Sequence, residues 1–200
     1  MQPKPQIVFV HGGNSFASGE EFHAALLACT FDPYSTERKR WREQIETETA
    51  HTHEYLFIDM PNKQNADYQA WAIWFDKVVP YLREGAILIG NSLGGGFYLR
   101  YLTENTLPVS IKQLHLVAPC VHMPDSRGVG GFQIDLPQWT TFKTSISAVH
   151  LWHSVDDKIV PVEQSEQFKI KYPTALLHTF TDRGHFLTET FPELLTEIQK

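Results

Sequence analysis

The run Ala86-Ile87-Leu88-Ile89-Gly90-Asn91-Ser92-Leu93-Gly94-Gly95-Gly96-Phe97-Tyr98-Leu99-Arg100 admits few folds. Residues 86–89 are apolar and partly β-branched, as in a strand covered on both faces. Gly90-Asn91-Ser92-Leu93-Gly94 follows as a G-x-S-x-G pattern, and Phe97, Tyr98, Tyr101 and Leu102 then recur at helical spacing. A serine at the tip of so sharp a strand-to-helix turn is strained. Side chains two positions before or after it would collide with the neighbouring element, and Gly90 and Gly94 remove them. The hydroxyl then stands clear of the sheet at a helix N-terminus, where backbone N–H groups receive negative charge. Composition alone yields such a pattern in roughly one chain of this length in twenty, so the rest of the sequence must carry the inference.

The remaining elements alternate. Gln6–Val10 reads as a strand running into His11-Gly12-Gly13-Asn14-Ser15. Ser18 and Glu21 form an S-x-x-E capping box that opens a helix through Phe22, Ala25, Leu26 and Ala28. Between 31 and 49, a basic cluster (Arg38, Lys39, Arg40, Arg42) mixes with acids on a solvated face, and Trp41 and Ile45, four apart, supply one apolar stripe. A second strand, Glu54–Ile58, closes at Asp59-Met60-Pro61-Asn62. The next helix is capped by Asn65 or Asp67 and carries Tyr68, Trp71, Ala72, Phe75, Val78 and Val79. Further strands are predicted over 113–118, 148–152 and 174–180, with helices over 162–172 and around Phe191, Leu194, Leu195 and Ile198. Residues 120–141 read as an irregular, glycine-broken loop of a length that tends to be functional. The expectation is an α/β three-layer sandwich: about six mostly parallel strands, flanked by helices on both faces, in one domain over 1–200.

A formal charge of −6 argues against nucleic acid or an anionic membrane as the main partner. Two cysteines, Cys29 and Cys120, without a CxxC, fit a reducing cytoplasm, and Met1–Pro5 carries no basic-plus-apolar leader. No apolar run reaches the ~20 residues that span a bilayer. His51 and His53 lack a carboxylate or cysteine to complete a metal site, and no motif calls for a phosphate or another cofactor. The expected partner is a small molecule; the sequence encodes no readable oligomeric state.

A serine hydroxyl needs a base within reach and a third group to hold that base in the right tautomer. His185 follows the last predicted strand, and an acid, Asp156 or Asp157, follows the one before. The order Ser, Asp, His places each at the end of a parallel strand, on one edge of the sheet. Together Gly90–Gly94, His11-Gly12-Gly13, Asp157-Lys158-Ile159-Val160-Pro161 and Gly184-His185-Phe186 resemble the α/β-hydrolase superfamily. The short chain, the Asp59-Met60-Pro61-Asn62 turn, Trp41 and Asp156-Asp157 more narrowly resemble its compact serine hydrolases of the retinoblastoma-binding-protein type; the segment from Cys120 to Thr141 departs from that pattern. The resemblance implies Ser92 as nucleophile, His185 as general base and then acid, and Asp157 as orienting acid. It also implies an oxyanion hole from the backbone of Leu93 and Gly13. The implied activity is hydrolysis of carboxylic esters with short acyl chains. A thioesterase, an amidase, or a binding protein on a hydrolase scaffold are the alternatives. Asn14, Phe16, Asn91, Phe97, Phe132 and Trp139 are the candidate substrate contacts.

Overall fold

The computed structural model describes residues 3–30, 32–34, 40–122 and 130–200. Its strands are β1 (Gln6–Val10), β2 (Glu54–Ile58), β3 (Ala86–Asn91), β4 (Ile111–Val117), β5 (Ile146–Ser154) and β6 (Leu176–Phe180). Its helices are α1 (Gly19–Ala28), α2 (Trp41–Thr49), α3 (Tyr68–Asp76), α4 (Leu93–Glu104), α5 (Glu163–Lys171) and α6 (Pro192–Ile198). All neighbouring strands pair in parallel, in the order β2-β1-β3-β4-β5-β6. The chain runs outward from β1 to β2, then returns to β3 on the other side. β1 and β3 are therefore neighbours whose following loops diverge, the switch point at which open α/β sheets bind ligands.

Alternation along the strands divides the core. Val8, Val10, Ala86 and Leu88 face α3, α4 and α5, while Ile7, Phe9, Ile87 and Ile89 face α2 and α6. Phe97 is fully buried on the first side, against Trp71, Phe75 and Tyr101 at 5.8, 5.5 and 5.3 Å between ring centroids. Truncating an aromatic so placed costs about 3–5 kcal/mol. Phe97 is thus core rather than a substrate contact.

Asp67, one of the two expected caps, starts α3 by accepting from the Ala70 N–H. Ser18 caps α1 as expected, but Glu21 reaches the Ala17 N–H instead of that of Ser18. The apolar residues of α1 have no core to enter: none is buried, and Leu27 is 89% exposed. β4 and β5 begin two residues earlier than predicted because Ile111 pairs with both Ala86 and Ile146. β6 begins later because Ala175 closes the turn after α5, its N–H bonding the Tyr172 carbonyl. In the irregular stretch after Pro119, 3-10 turns occupy Gly130–Phe132 and Leu136–Gln138, while residues 123–129 lie outside the described residues. Arg38 and Lys39 of the basic cluster lie outside them too. Among the described residues no helix is long and apolar enough to cross a membrane.

Under α6, β4, β5 and β6 place three histidines side by side. The rings of His115 and His150 stack at 4.6 Å, and those of His150 and His178 at 5.4 Å. Trp152 Nε1 donates to His115 Nδ1 at 3.1 Å, so that nitrogen carries no proton. Burial, reinforced by the neighbouring imidazoles, pushes the His115 pKa well below its ordinary 6.5; burial also lowers His150 and His178. All three bind a proton less readily in the fold than in the unfolded chain. The stability they contribute is complete above the ordinary value of 6.5 and is lost as pH falls from there toward the folded-state values. Thermal unfolding should therefore show a melting temperature that declines as pH drops from about 7 to about 5. His178→Gln should flatten that slope; an unchanged slope would contradict the account.

Candidate active site

Ser92 sits between β3 and α4 with φ 53° and ψ −117°, a conformation that costs on the order of 1–3 kcal/mol. The turn is fixed from both sides. The Ser92 N–H donates to the Val117 carbonyl at 2.8 Å, and the Ser92 carbonyl accepts from the N–H groups of Gly95, Gly96 and Cys120. A Cβ on Gly90 would stand 2.6 Å from the Gly94 oxygen, and one on Gly94 would stand 2.4 Å from the Val10 oxygen. The first turn of α4 thus crosses the end of β1 at backbone contact distance.

Three side chains from three strand ends meet at this point. Ser92 Oγ lies 2.9 Å from His185 Nε2, and His185 Nδ1 lies 2.7 Å from Asp157 Oδ2. The other oxygen, Asp157 Oδ1, accepts from the N–H groups of Ile159 and Val160 at 2.8 and 3.0 Å. Burial works against the carboxylate. The bonds from His185 and from those two N–H groups outweigh it and hold the Asp157 pKa below the ordinary carboxylate range. This settles the position of the two acids. Asp156 Oδ1 accepts from the Gly184 N–H at 2.9 Å and from the Ser154 hydroxyl, so it fastens the turn that carries the imidazole without touching the ring's nitrogens. From the other side, α2 grips the same turn. Trp41 Nε1 donates to the Phe186 carbonyl at 3.0 Å, and Arg40 Nη1 to the Leu187 carbonyl at 3.0 Å.

His153, which the sequence reading passed over, lies fully buried beside the acid. Its Nε2–H donates to the Val160 carbonyl at 2.9 Å, its Nδ1 accepts from Ser165 Oγ at 2.7 Å, and burial lowers its pKa. It is a neutral support 3.6 Å from Asp157 Oδ2, not a counter-ion. His11 behaves alike. Its Nε2 accepts from the Met60 N–H at 2.8 Å and its Nδ1–H donates to the Gly12 carbonyl at 2.6 Å. With Nε2 unprotonated, the 3.5 Å approach of Asp59 is not an ion pair. His11 ties the glycine loop to the turn after β2.

That loop borders the serine. The Asn14 N–H donates to the Lys63 carbonyl at 2.8 Å, and a Cβ on Gly13 would stand 2.6 Å from the same oxygen. The N–H groups of Gly13 and Leu93, the latter at the open N-terminus of α4, have no hydrogen-bond partner among the described residues. Both are free to receive an oxyanion. Ser92 opens into a cleft of about 300 Å3 lined by Gly12, Gly13, Asn14, Asn91, Cys120, Ile159, Val160, His185 and Leu187. Ile159 and Leu187 form an exposed apolar lip. Burial, then the Asp157 charge, pushes the Cys120 thiol up to about 12, so beside the serine it stays protonated. Asn91 Oδ1 is buried without a partner among the described residues.

Of the six expected substrate contacts, Asn14 and Asn91 line the cleft; besides Phe97 in the core, three others do not. Phe16 packs half-buried on Phe22 at 5.6 Å. Phe132 is fully buried against Trp71 and Tyr68, at 5.0 and 5.6 Å. Trp139 packs on Phe168 at 4.9 Å, and its Nε1 donates to Thr103 Oγ1. The last two were aromatic side chains in a glycine-rich loop, and the loop folds them onto α3, α4 and α5 instead of over the serine.

No family model matches the chain. Solved structures do. The ydeN gene product of B. subtilis is 19% identical with TM-score 0.75, covering 98% of this chain and 97% of the other. A putative ydeN-like hydrolase of Pectobacterium atrosepticum is 16% identical with TM-score 0.66, covering 98% and 89%. A Paleococcus ferrophilus monoacylglycerol lipase is 16% identical with TM-score 0.63, covering 98% and 94%. At these identities the likeness is one of architecture: the chain has the α/β-hydrolase fold. The elbow geometry predicts that Gly94→Val, which drives branched carbon into the carbonyls of Val10 and His11, lowers stability by at least about 1–3 kcal/mol in urea unfolding. An unaltered midpoint would show that the crossing is not tight.

Proposed function

We propose that this chain of α/β-hydrolase fold is a serine hydrolase acting on carboxylic esters with short acyl groups. The observation that supports the reading is the unbroken hydrogen-bonded path from Asp157 through both nitrogens of His185 to Ser92 Oγ, with the N–H groups of Leu93 and Gly13, which have no partner among the described residues, bordering the serine end. In this mechanism the His185 Nδ1–H donates to Asp157, leaving Nε2 as the acceptor for the Ser92 proton. Ser92 Oγ attacks the ester carbonyl as its proton passes to Nε2. The carbonyl oxygen takes up negative charge and receives the N–H groups of Leu93 and Gly13. Collapse expels the alcohol, which leaves with the proton from Nε2, and an acyl-enzyme remains. Water attacks that ester through the same imidazole, releasing the carboxylic acid and restoring Ser92.

The cleft volume of about 300 Å3 and the absence of an inserted lid among the described residues favour short acyl chains. His185 is shared between the two steps and must stay aligned in both. That is the task assigned to Asp157, with Asp156 and Trp41 holding the turn.

Three variants test this on a short 4-nitrophenyl ester. Ser92→Ala should abolish turnover while leaving the melting temperature close to that of the parent. Asp157→Asn, which favours the wrong imidazole tautomer, should lower kcat by about 10⁴. A fluorophosphonate probe should label Ser92, as read by peptide mass spectrometry. Undiminished turnover in Ser92→Ala, or labelling at another residue, would remove Ser92 from the mechanism. Asp156→Asn should retain far more activity than Asp157→Asn; the reverse ranking would exchange the two acids.

A further inference from the structure

Next to the cleft lies a second cavity of about 230 Å3, lined by Phe9, His11, Gly12, Arg40, Trp41, Arg42, Lys63, Asn91, Phe186 and Leu187. It meets the serine cleft at Gly12, Asn91 and Leu187, which line both. Among the described residues its wall carries three cationic side chains and no carboxylate. That is the opposite of the chain as a whole, where 23 acidic residues outnumber 17 basic ones. We propose that this cavity is an anion subsite of the same active site, and that the substrate is an ester bearing a carboxylate or a comparable anionic group a short chain away from the scissile carbonyl. The proposal rests on the Ser92 hydrolase reading.

The cations are held there by the elements that build the site. Arg40 is anchored through the bond from Nη1 to the Leu187 carbonyl, and no carboxylate among the described residues pairs with its guanidinium. Lys63 extends from the residue whose carbonyl fixes Asn14, so it is tied to the glycine loop. Arg42 pairs through Nε with Glu43 at 2.8 Å and lies 5.1 Å above the Phe57 ring; Glu43 therefore offsets one of the three charges. The other nearby acid, Asp59, is 78% exposed in its side chain and does not line the cavity. The balance stays positive. His11 feels both signs: besides burial, Lys63 and Arg42 lower its pKa, while its bond to the Gly12 carbonyl and the charge of Asp59 raise it. The apolar floor of Phe9, Trp41 and Phe186 lowers the local dielectric and strengthens the attraction. Asn91 Oδ1 at the neck is an unpartnered acceptor, so the anion sits beyond it, among the guanidinium groups.

Two arms test the subsite in the full chain. In the first, Ser92→Ala is titrated calorimetrically with monomethyl glutarate and with dimethyl glutarate. The monoanion should bind about tenfold tighter than the neutral diester, as charge-assisted hydrogen bonds allow, and the preference should shrink with added salt. Adding Arg42→Gln and Lys63→Gln should bring the two affinities together. In the second arm, the kcat/KM ratio of 4-nitrophenyl hydrogen glutarate to 4-nitrophenyl pentanoate should exceed about ten in the parent and fall toward one in the double variant. If the double variant does not fold, Lys63→Gln alone, at an exposed position, should cut the ratio several-fold. Equal or better binding of the diester, or a preference that survives the substitutions, would overturn the proposal. Anion preference in binding without hydrolysis of either ester would instead remove the hydrolase reading and leave the subsite standing.

Discussion

Everything near Ser92 depends on how closely two backbones pass. The first turn of α4 crosses the ends of β1 and β3 at distances that exclude even a methyl group at Gly90 and Gly94. Because that crossing is tight, the serine is lifted above the sheet in a left-handed conformation. The N-terminus of α4 also comes to lie beside the glycine loop after β1. The strain stored at Ser92 is borne by the well-packed sheet, whose two faces bury Ile87, Leu88 and Ile89 completely.

A second constraint is how the histidines are divided. Six of them, His11, His53, His115, His150, His153 and His178, have depressed pKa values, with burial as the leading cause, and each bonds a backbone or side-chain partner that accounts for its nitrogens in whole or in part. His11 and His153 do structural work close to the Ser92 cleft, joining the glycine loop to the turn after β2 and supporting the Asp157 loop. His185 differs in that one nitrogen meets an acid and the other a hydroxyl. Proximity to the serine does not separate these roles; the partner at each nitrogen does.

The strand-to-helix turn at Ser92 was legible because glycine spacing and apolar periodicity report directly on backbone sterics. The parallel sheet was legible because strands and helices alternate. Ser92, an acid at 156 or 157, and His185 were recognisable by their places after β3, β5 and β6, and the structure brings Ser92, Asp157 and His185 together. What could not be read was side-chain destination. Phe132 and Trp139 lie in a stretch without periodicity, so nothing in the sequence distinguished folding back into the core from facing the cleft. Arg40 and Arg42 read as solvated charges, since helical spacing says which residues share a face of α2 and nothing about what a distant turn brings opposite them. His153 gave no signal at all: its role depends on Ser165 and Val160, supplied by the chain beyond β5.

The adjacent acids after β5 carry a consequence for how this turn can vary. Asp156 and Asp157 sit in the turn that closes β5, where the Asp157 N–H bonds the Ser154 carbonyl, and that turn sends Asp156 to the backbone of Gly184 and Asp157 to the imidazole. Fastening and orienting are thereby linked in phase. A one-residue insertion or deletion between β5 and this dipeptide would rotate both carboxylates at once, loosening the turn and unseating the ring in a single event. Apart from Asp157 itself, the loop therefore tolerates exchange of side chains better than a change in its length.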